Sequence, residues 1–276
     1  MKLFLKTKDF SVSGEQFELH RDEELDMLVT KPQPQNLTPY YESEDYISHT
    51  DSQTSFTDRL YQLVKRKNLR NKIQKVVNQL DSIKNLLDLG AGTGDFLITA
   101  QNSGFKVTGV EPNNKARKLA EQKGVHLFSS LADVSNQKFQ AITLWHVLEH
   151  LPDLDEQIKS LVNLLVEDGV LVIAVPNFKS YDAKHYKSHW AAFDVPRHLW
   201  HFSKTSIAKL FAPHQMEVIK IKPMWFDAFY VSMLSEKYRG NKGYLFRAFF
   251  VGLWSNIKAI FTKEHSSLIY ILKKRK

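Results

Sequence analysis

Three glycines in Leu86-Leu-Asp-Leu-Gly-Ala-Gly-Thr-Gly-Asp-Phe96 follow directly on an apolar run and precede a helix-forming segment. Glycine permits a tight backbone turn and leaves no Cβ in the path of a ligand. The helix beyond aims free N–H groups at the same cleft. Glu111 closes the next apolar run, Val107-Thr-Gly-Val-Glu-Pro112, where a carboxylate can accept both hydroxyls of a ribose. Together, loop and acid point to a nucleoside cofactor. Asp95 stands in the third small-residue place of a pyrophosphate-binding loop and would repel a pyrophosphate. Asp88, ahead of the loop, suits an ammonium group. A cationic amino-acid cofactor therefore fits better than an anionic dinucleotide.

A second constellation is rich in histidine. His146-Val-Leu-Glu-His150 matches the H-x-x-E-H pattern of an inverted metalloprotease. It starts at a strand end and runs quickly into Pro152, so the histidines read better as cleft lining and no metal is expected. His198 and His201 lie in a turn-rich segment with Trp190, Arg197 and Trp200. An imidazole there either supports a loop or takes a proton from a substrate hydroxyl; His198 is open to both readings, and His201 reads as support. His49 is either ordinary or a lid contact.

These residues need elements to position them. Asn85–Leu89, Lys106–Glu111, Val125–Phe128, Phe139–Trp145, Gly169–Val175, Met216–Ile221 and Ser267–Leu272 read as strands. Asp95–Asn102, Asn113–Lys123, Leu154–Val166 and Thr205–Phe211 read as helices between them. The alternation predicts an α/β fold with a seven-stranded, mostly parallel sheet covered on both faces. Residues 224–262 form a helical, aromatic-rich insertion before the last strand. Residues 55–80 repeat apolar positions at helical spacing and predict a helical cap. Residues 1–54, with three prolines between Lys31 and Pro39, are expected to be an irregular lead-in. The catalytic core is then 81–276.

At 276 residues with no cysteine, the chain has neither a disulfide framework nor a thiolate metal site. No signal-peptide core and no spanning helix are expected, which fits a cytoplasmic protein. The net charge is +8, and residues 181–276 alone carry 17 basic and 6 acidic side chains. A basic surface favours anionic partners such as nucleic acid or lipid headgroups.

Asp88-Leu-Gly-Ala-Gly-Thr-Gly94 resembles the cofactor motif of class I S-adenosylmethionine-dependent methyltransferases, and Gly109-Val-Glu-Pro-Asn113 their ribose-binding motif. Leu144-Trp-His-Val-Leu-Glu-His-Leu-Pro-Asp153, Glu167–Asn177 and Asp194-Val-Pro-Arg-His-Leu-Trp-His-Phe-Ser203 resemble the type 23 branch that includes quinone-biosynthesis O-methyltransferases. The resemblance covers roughly residues 84–222 and implies a Rossmann-like sheet with S-adenosylmethionine as cofactor. It implies cofactor contacts from Asp88, Gly90, Ala91, Gly92, Gly94, Glu111, Pro112, Leu131, Trp145 and His146. His146 and His198 are then the candidate catalytic residues, and Tyr46, His49, Trp190 and Arg197 the candidate acceptor contacts. Phe17–Pro34 looks like the place where relatives carry a Cys-rich metal knuckle, without its cysteines. The acceptor implied is an oxygen on a small or lipid-like molecule, with peripheral contact to an anionic membrane through the 224–262 aromatics. Burial of those aromatics in the insertion's own core is the competing reading. A nucleic-acid methyltransferase and a non-catalytic cofactor-binding module are the alternatives.

Overall fold

The computed structural model describes residues 1–41, 56–80 (side chains from Lys67 onward) and 85–275. Its elements in chain order are β1 Lys2–Lys8, β2 Gln16–Asp22, β3 Met27–Lys31, α1 Phe56–Val77, β4 Asn85–Leu89, α2 Asp95–Asn102, β5 Lys106–Val110 and α3 Asn114–Gln122. There follow β6 Phe139–Trp145, α4 Leu154–Leu164, β7 Leu165–Pro176, α5 Tyr181–Tyr186, β8 Trp200–His201 and α6 Lys204–Phe211. The chain continues through β9 Met216–Pro223, α7 Asp227–Tyr238, α8 Tyr244–Thr262 and β10 Ser267–Lys274. Short 3-10 turns link several of these.

The larger sheet has six strands in the order β5-β4-β6-β7-β10-β9. Strand β4 lies parallel to both neighbours, with Leu86 opposite Val107 on one side and Ala141 on the other. Leu86 and Leu87 are wholly buried, as apolar side chains of a strand covered on both faces must be. The expected seventh strand, Val125–Phe128, shrinks to a single bridge between Val110 and Phe128. Directly after it, Ser130 and Asp133 cap a 3-10 turn reciprocally, which takes the chain out of the sheet before a ladder can extend. Gly109 explains why β5 can lie so close to its covering layer. A Cβ there would stand 2.4 Å from both Leu97 and Leu127.

The N-terminal segment is ordered where the sequence suggested an irregular lead-in. Strands β1, β2 and β3 form an antiparallel meander, and β3 pairs with β8 through Leu28 opposite His201. Phe17 and Leu19 point inward on alternate positions of β2 while Glu18 pairs outward with Lys6. The β1–β2 turn is closed by Asp9, whose carboxylate accepts from the backbone of Ser11, Val12 and Ser13. The metal-knuckle position, Phe17–Pro34, is thus a hydrogen-bonded hairpin.

The chain divides into two compact units. One comprises Met1–Ser43, His146–Asp155 and Ala174–Tyr270; the other comprises Glu44–Trp145, Glu156–Ile173 and Ile271–Lys276. Pairing of β3 with β8 ties the N-terminal strands to the later segments of the first unit.

In the first unit, α7 and α8 pack through small residues. Ala248, Gly252, Ser255, Asn256 and Ala259 are the buried positions of α8. A Cβ on Gly252 would come within 2.9 Å of the Phe229 Cα. Leu245, Phe246, Phe249, Phe250, Trp254 and Phe261 are exposed instead, Phe261 by 82%. Most aromatics of the insertion are therefore outside its core, whereas Phe229 sits at the contact between the two helices.

Candidate functional site

In the second unit, β4 runs into a loop whose glycines 90, 92 and 94 all have positive φ, 71°, 54° and 79°. L-residues with a side chain rarely adopt that region, so the sequence needs glycine there. The amides of Gly90 and Ala91 donate to the Val110 carbonyl at 2.8 and 3.0 Å, pinning the loop to the end of β5. The Glu111 carboxylate accepts from the Gly92 amide at 2.9 Å and the Asn113 amide at 2.8 Å. Motif acid and motif glycine are thus one hydrogen-bonded assembly. A Cβ built on Gly92 meets nothing within 4 Å, whereas one on Gly94 meets Ala120 and Val125. Gly92 faces open space; Gly94 lets α2 pack.

Asp88 is buried and accepts from the Thr143 hydroxyl at 2.6 Å. Burial pushes its carboxyl well above the ordinary aspartate range, aided by the Glu111 charge and opposed by Thr143 and Lys72. Asp95 pairs with Lys123 at 3.1 Å on the first turn of α2. Trp145 ends β6 with Phe96 packed edge-on at 5.4 Å and the Lys72 ammonium 4.5 Å from the ring centroid. Lys72 was legible only as one of several basic residues on α1. Pro112 follows Glu111 and offers its carbonyl to Arg117, and Leu131 opens the 3-10 turn after Ser130. Asp88, Gly90, Ala91, Gly92, Gly94, Glu111, Pro112, Leu131 and Trp145 all belong to this unit; His146 belongs to the other.

In the first unit, His146 adopts φ 60° and its amide donates to the Ala174 carbonyl at 2.9 Å. Its ring stands between two carboxylates, with Nε2 3.1 Å from Asp227 and Nδ1 3.4 Å from Glu149. Burial opposes the imidazolium, but the two acids outweigh it and lift the pKa to about 9. A ring held between two carboxylates favours its protonated form and is a poor proton acceptor. The left-handed backbone at His146 and the short turn Leu148–His150 also break the helix that H-x-x-E-H would require.

His198 is buried, its Nδ1 directed at the Ala192 carbonyl at 2.9 Å. His150 directs Nδ1 at the Arg197 carbonyl at 3.0 Å, and burial together with the His198 charge pushes its pKa down to about 4. His201 meets the Thr30 hydroxyl at 3.0 Å and has the loop-support role expected of it. Trp190 and Arg197, two expected acceptor contacts, are both buried and hydrogen-bonded within the protein. The Trp190 indole is buried and donates to Asp182 at 2.7 Å. Arg197 is buried against Asp9 and Asp194 and donates to the Tyr40 carbonyl. A buried guanidinium needs such partners. Tyr46 and His49 lie outside the described residues.

The family described as "Methyltransferase domain" matches residues 61–221, and the chain belongs to it. Over 119 residues the chain is 37% identical to a ubiquinone biosynthesis O-methyltransferase of Actinobacillus pleuropneumoniae serotype 7, covering 38% of this chain and 50% of that protein. The corresponding protein of Coxiella burnetii is 31% identical over 109 residues, covering 36% and 47%. The chain thus spans about half the length of the curated relatives it matches. Magnesium protoporphyrin IX methyltransferase from Synechocystis PCC 6803, with bound SAH, superposes with a TM-score of 0.54 at 15% identity, over 82% of this chain and 90% of that one. A cyclopropane synthase from Mycobacterium tuberculosis gives 0.52 at 12% identity, over 74% and 83%. The fold is Rossmann-like, a mixed sheet with helices on both sides, and the domain is of the class that uses S-adenosylmethionine. No helix among the described residues is long and apolar enough to cross a membrane.

Proposed function

We propose that this protein transfers the methyl group of S-adenosylmethionine to a hydroxyl oxygen of a small or lipid-like acceptor. The observation that carries the cofactor half is the loop itself: Gly92 facing open space with its amide held by Glu111. Glu111 would receive the ribose hydroxyls. A sulfonium methyl is already activated, so transfer asks chiefly for alignment and exclusion of water.

The acceptor half is supported by two observations. The curated relatives named for ubiquinone O-methylation are 37% and 31% identical to the chain over 119 and 109 residues. The outward face of α7 and α8 carries Tyr230, Phe246, Phe249, Phe250, Trp254 and Phe261, with Arg247 and Lys258 among them. Such a face suits the interfacial zone of an anionic membrane, where a lipid-linked acceptor resides.

Calorimetry with S-adenosylmethionine, followed by methyl transfer to polar and lipid-linked phenols and alcohols scored by mass, tests the reading. Cofactor binding with a methyl ether formed on the lipid-linked acceptor supports it. No cofactor binding, or methylation of amines alone, overturns it. Flotation with anionic vesicles is expected to retain the protein at low salt and less of it at high salt. No flotation at either salt, with a polar hydroxyl methylated, would leave a soluble acceptor as the better reading.

A further inference from the structure

The first unit contains a histidine–carboxylate cluster that the methyl-transfer reading does not use. Glu149, His150 and His198 each bring one donor atom to a common point, all within 4.8 Å of one another. The side chain of Glu149 is 1% exposed, and among the described residues neither of its oxygens has a hydrogen-bond partner. Its nearest charged neighbour is the Nδ1 of His146 at 3.4 Å. Beyond that ion pair the buried carboxylate has acceptor positions to spare, and an ion or a water would fill them.

The two imidazoles are oriented in a way that complements this acid. A carbonyl oxygen only accepts, so the Nδ1 of His198 facing Ala192 carries the hydrogen, as does the Nδ1 of His150 facing Arg197, where the Tyr41 hydroxyl, 2.9 Å from the same nitrogen, then accepts as well. That leaves Nε2 as the donor atom on both rings. Backbone carbonyls fixing the far nitrogen are the usual outer shell of a metal-bound histidine. The segments that carry the ligands are themselves locked together. The Leu199 amide donates to the Glu149 carbonyl at 2.8 Å, and the Thr30 hydroxyl to the His198 carbonyl at 2.6 Å. Asp194 stands at the edge, its carboxylate 4.0 Å from the His198 Nε2 while it pairs with Arg197.

We propose that Glu149, His150 and His198 form the ligand set of a site for one divalent cation of zinc type. Two imidazole nitrogens and one carboxylate oxygen favour Zn2+ or Co2+ over Mg2+ or Ca2+, which take oxygen donors. Three protein ligands leave a further coordination position open. The cluster differs from the one suggested by H-x-x-E-H. His146, the first histidine of that pattern, is occupied by Asp227 and Glu149, and its place is taken by His198, which is remote in sequence.

The test uses untagged full-length protein, stripped with a chelator and titrated with Zn2+ by calorimetry and with Co2+ by visible absorption. One equivalent of either metal, with a ligand-field spectrum for Co2+, is expected. Long-range 1H–15N spectra should show Zn2+ shifting the Nε2 resonances of two histidines only. Glu149→Gln and His198→Ala should each weaken Zn2+ binding at least about tenfold, while His126→Ala, at an exposed ring, should not. Glu149→Gln nearly preserves shape and removes a buried charge, so it keeps the comparison sound if His198→Ala fails to fold. No stoichiometric uptake by the wild type, or wild-type affinity in Glu149→Gln, overturns the proposal. Neither readout depends on methyl transfer, so its failure is distinct from failure of the methyltransferase reading.

Discussion

The glycine loop and the histidine cluster are built on opposite plans. The loop of the second unit presents mostly backbone: glycine turns, amides, and a single carboxylate that grips them. Its parts are close in sequence, Gly90 to Glu111, and two parallel strands hold them. The cluster of the first unit presents side chains gathered from Glu149 to His198, aligned by backbone carbonyls and a buried ion-pair network around Arg197. Backbone sites tolerate little change of residue type at the glycines. Side-chain sites fail one partner at a time, because each ring has its own support. Substitutions in the two regions should therefore differ in both size and kind.

The largest effect is expected at Gly92. The open space over its Cα admits a side chain sterically, but φ 54° strains a β-branched residue and the new atoms would fill the cofactor's path. Gly92→Val should weaken S-adenosylmethionine by at least about 100-fold, roughly 2.8 kcal/mol, while the far-UV dichroism stays that of the wild type. Unchanged affinity in a folded variant would separate the loop from the cofactor site. The next effect is expected at Glu111. Removing a carboxylate that binds ribose and the Gly92 amide should cost about 1.5–3 kcal/mol of binding. Calorimetry of Glu111→Ala checks it, and a loss confined to thermal stability would assign Glu111 to loop support alone.

The two plans also explain what could be read in advance. The loop is a contiguous pattern in which glycine and acid have one main physical use, so β4, α2, β5 and the cofactor residues are plain from sequence. Val125–Phe128 has strand character, but nothing in those residues announces that Ser130 and Asp133 end the ladder at one bridge. Strand β2 has only Phe17 and Leu19 as inward apolar residues among charges, too brief an alternation to be recognised before β8 is known to pair alongside β3. Trp190 and Arg197 are of types that often meet ligands, and only the positions of Asp182, Asp9 and Asp194 show them to be engaged elsewhere. The outward aromatics of α8 follow from the small residues at 248, 252, 255 and 259, whose spacing marks the inward face. His150 and His198 are adjacent only because a turn, a strand end and a buried arginine bring them together.

The smallest expected effect concerns the charge on His146, and it bears on how far the first unit departs from a proton-accepting site. Asp227 and Glu149 lift its folded pKa to about 9, against an ordinary value of 6.5. Below 6.5 both folded and unfolded chains carry the proton, and the ion pairs contribute in full. As pH rises through 6.5 towards 9 the unfolded chain loses its proton first, and the contribution falls away until the folded ring is neutral too. The side chain is about one-third exposed, so solvent screening keeps the gain below about 1 kcal/mol. That corresponds to a loss of no more than about 2–4 °C in melting temperature between pH 6.5 and 9.5. Asp227→Asn should flatten this decline and bring the His146 titration, followed by 1H–13C spectra, back towards the ordinary range. A wild-type midpoint near 6.5 would dissolve the clamp and leave the His146 ring free to take up a proton, making the two units alike in leaving their reactive groups free.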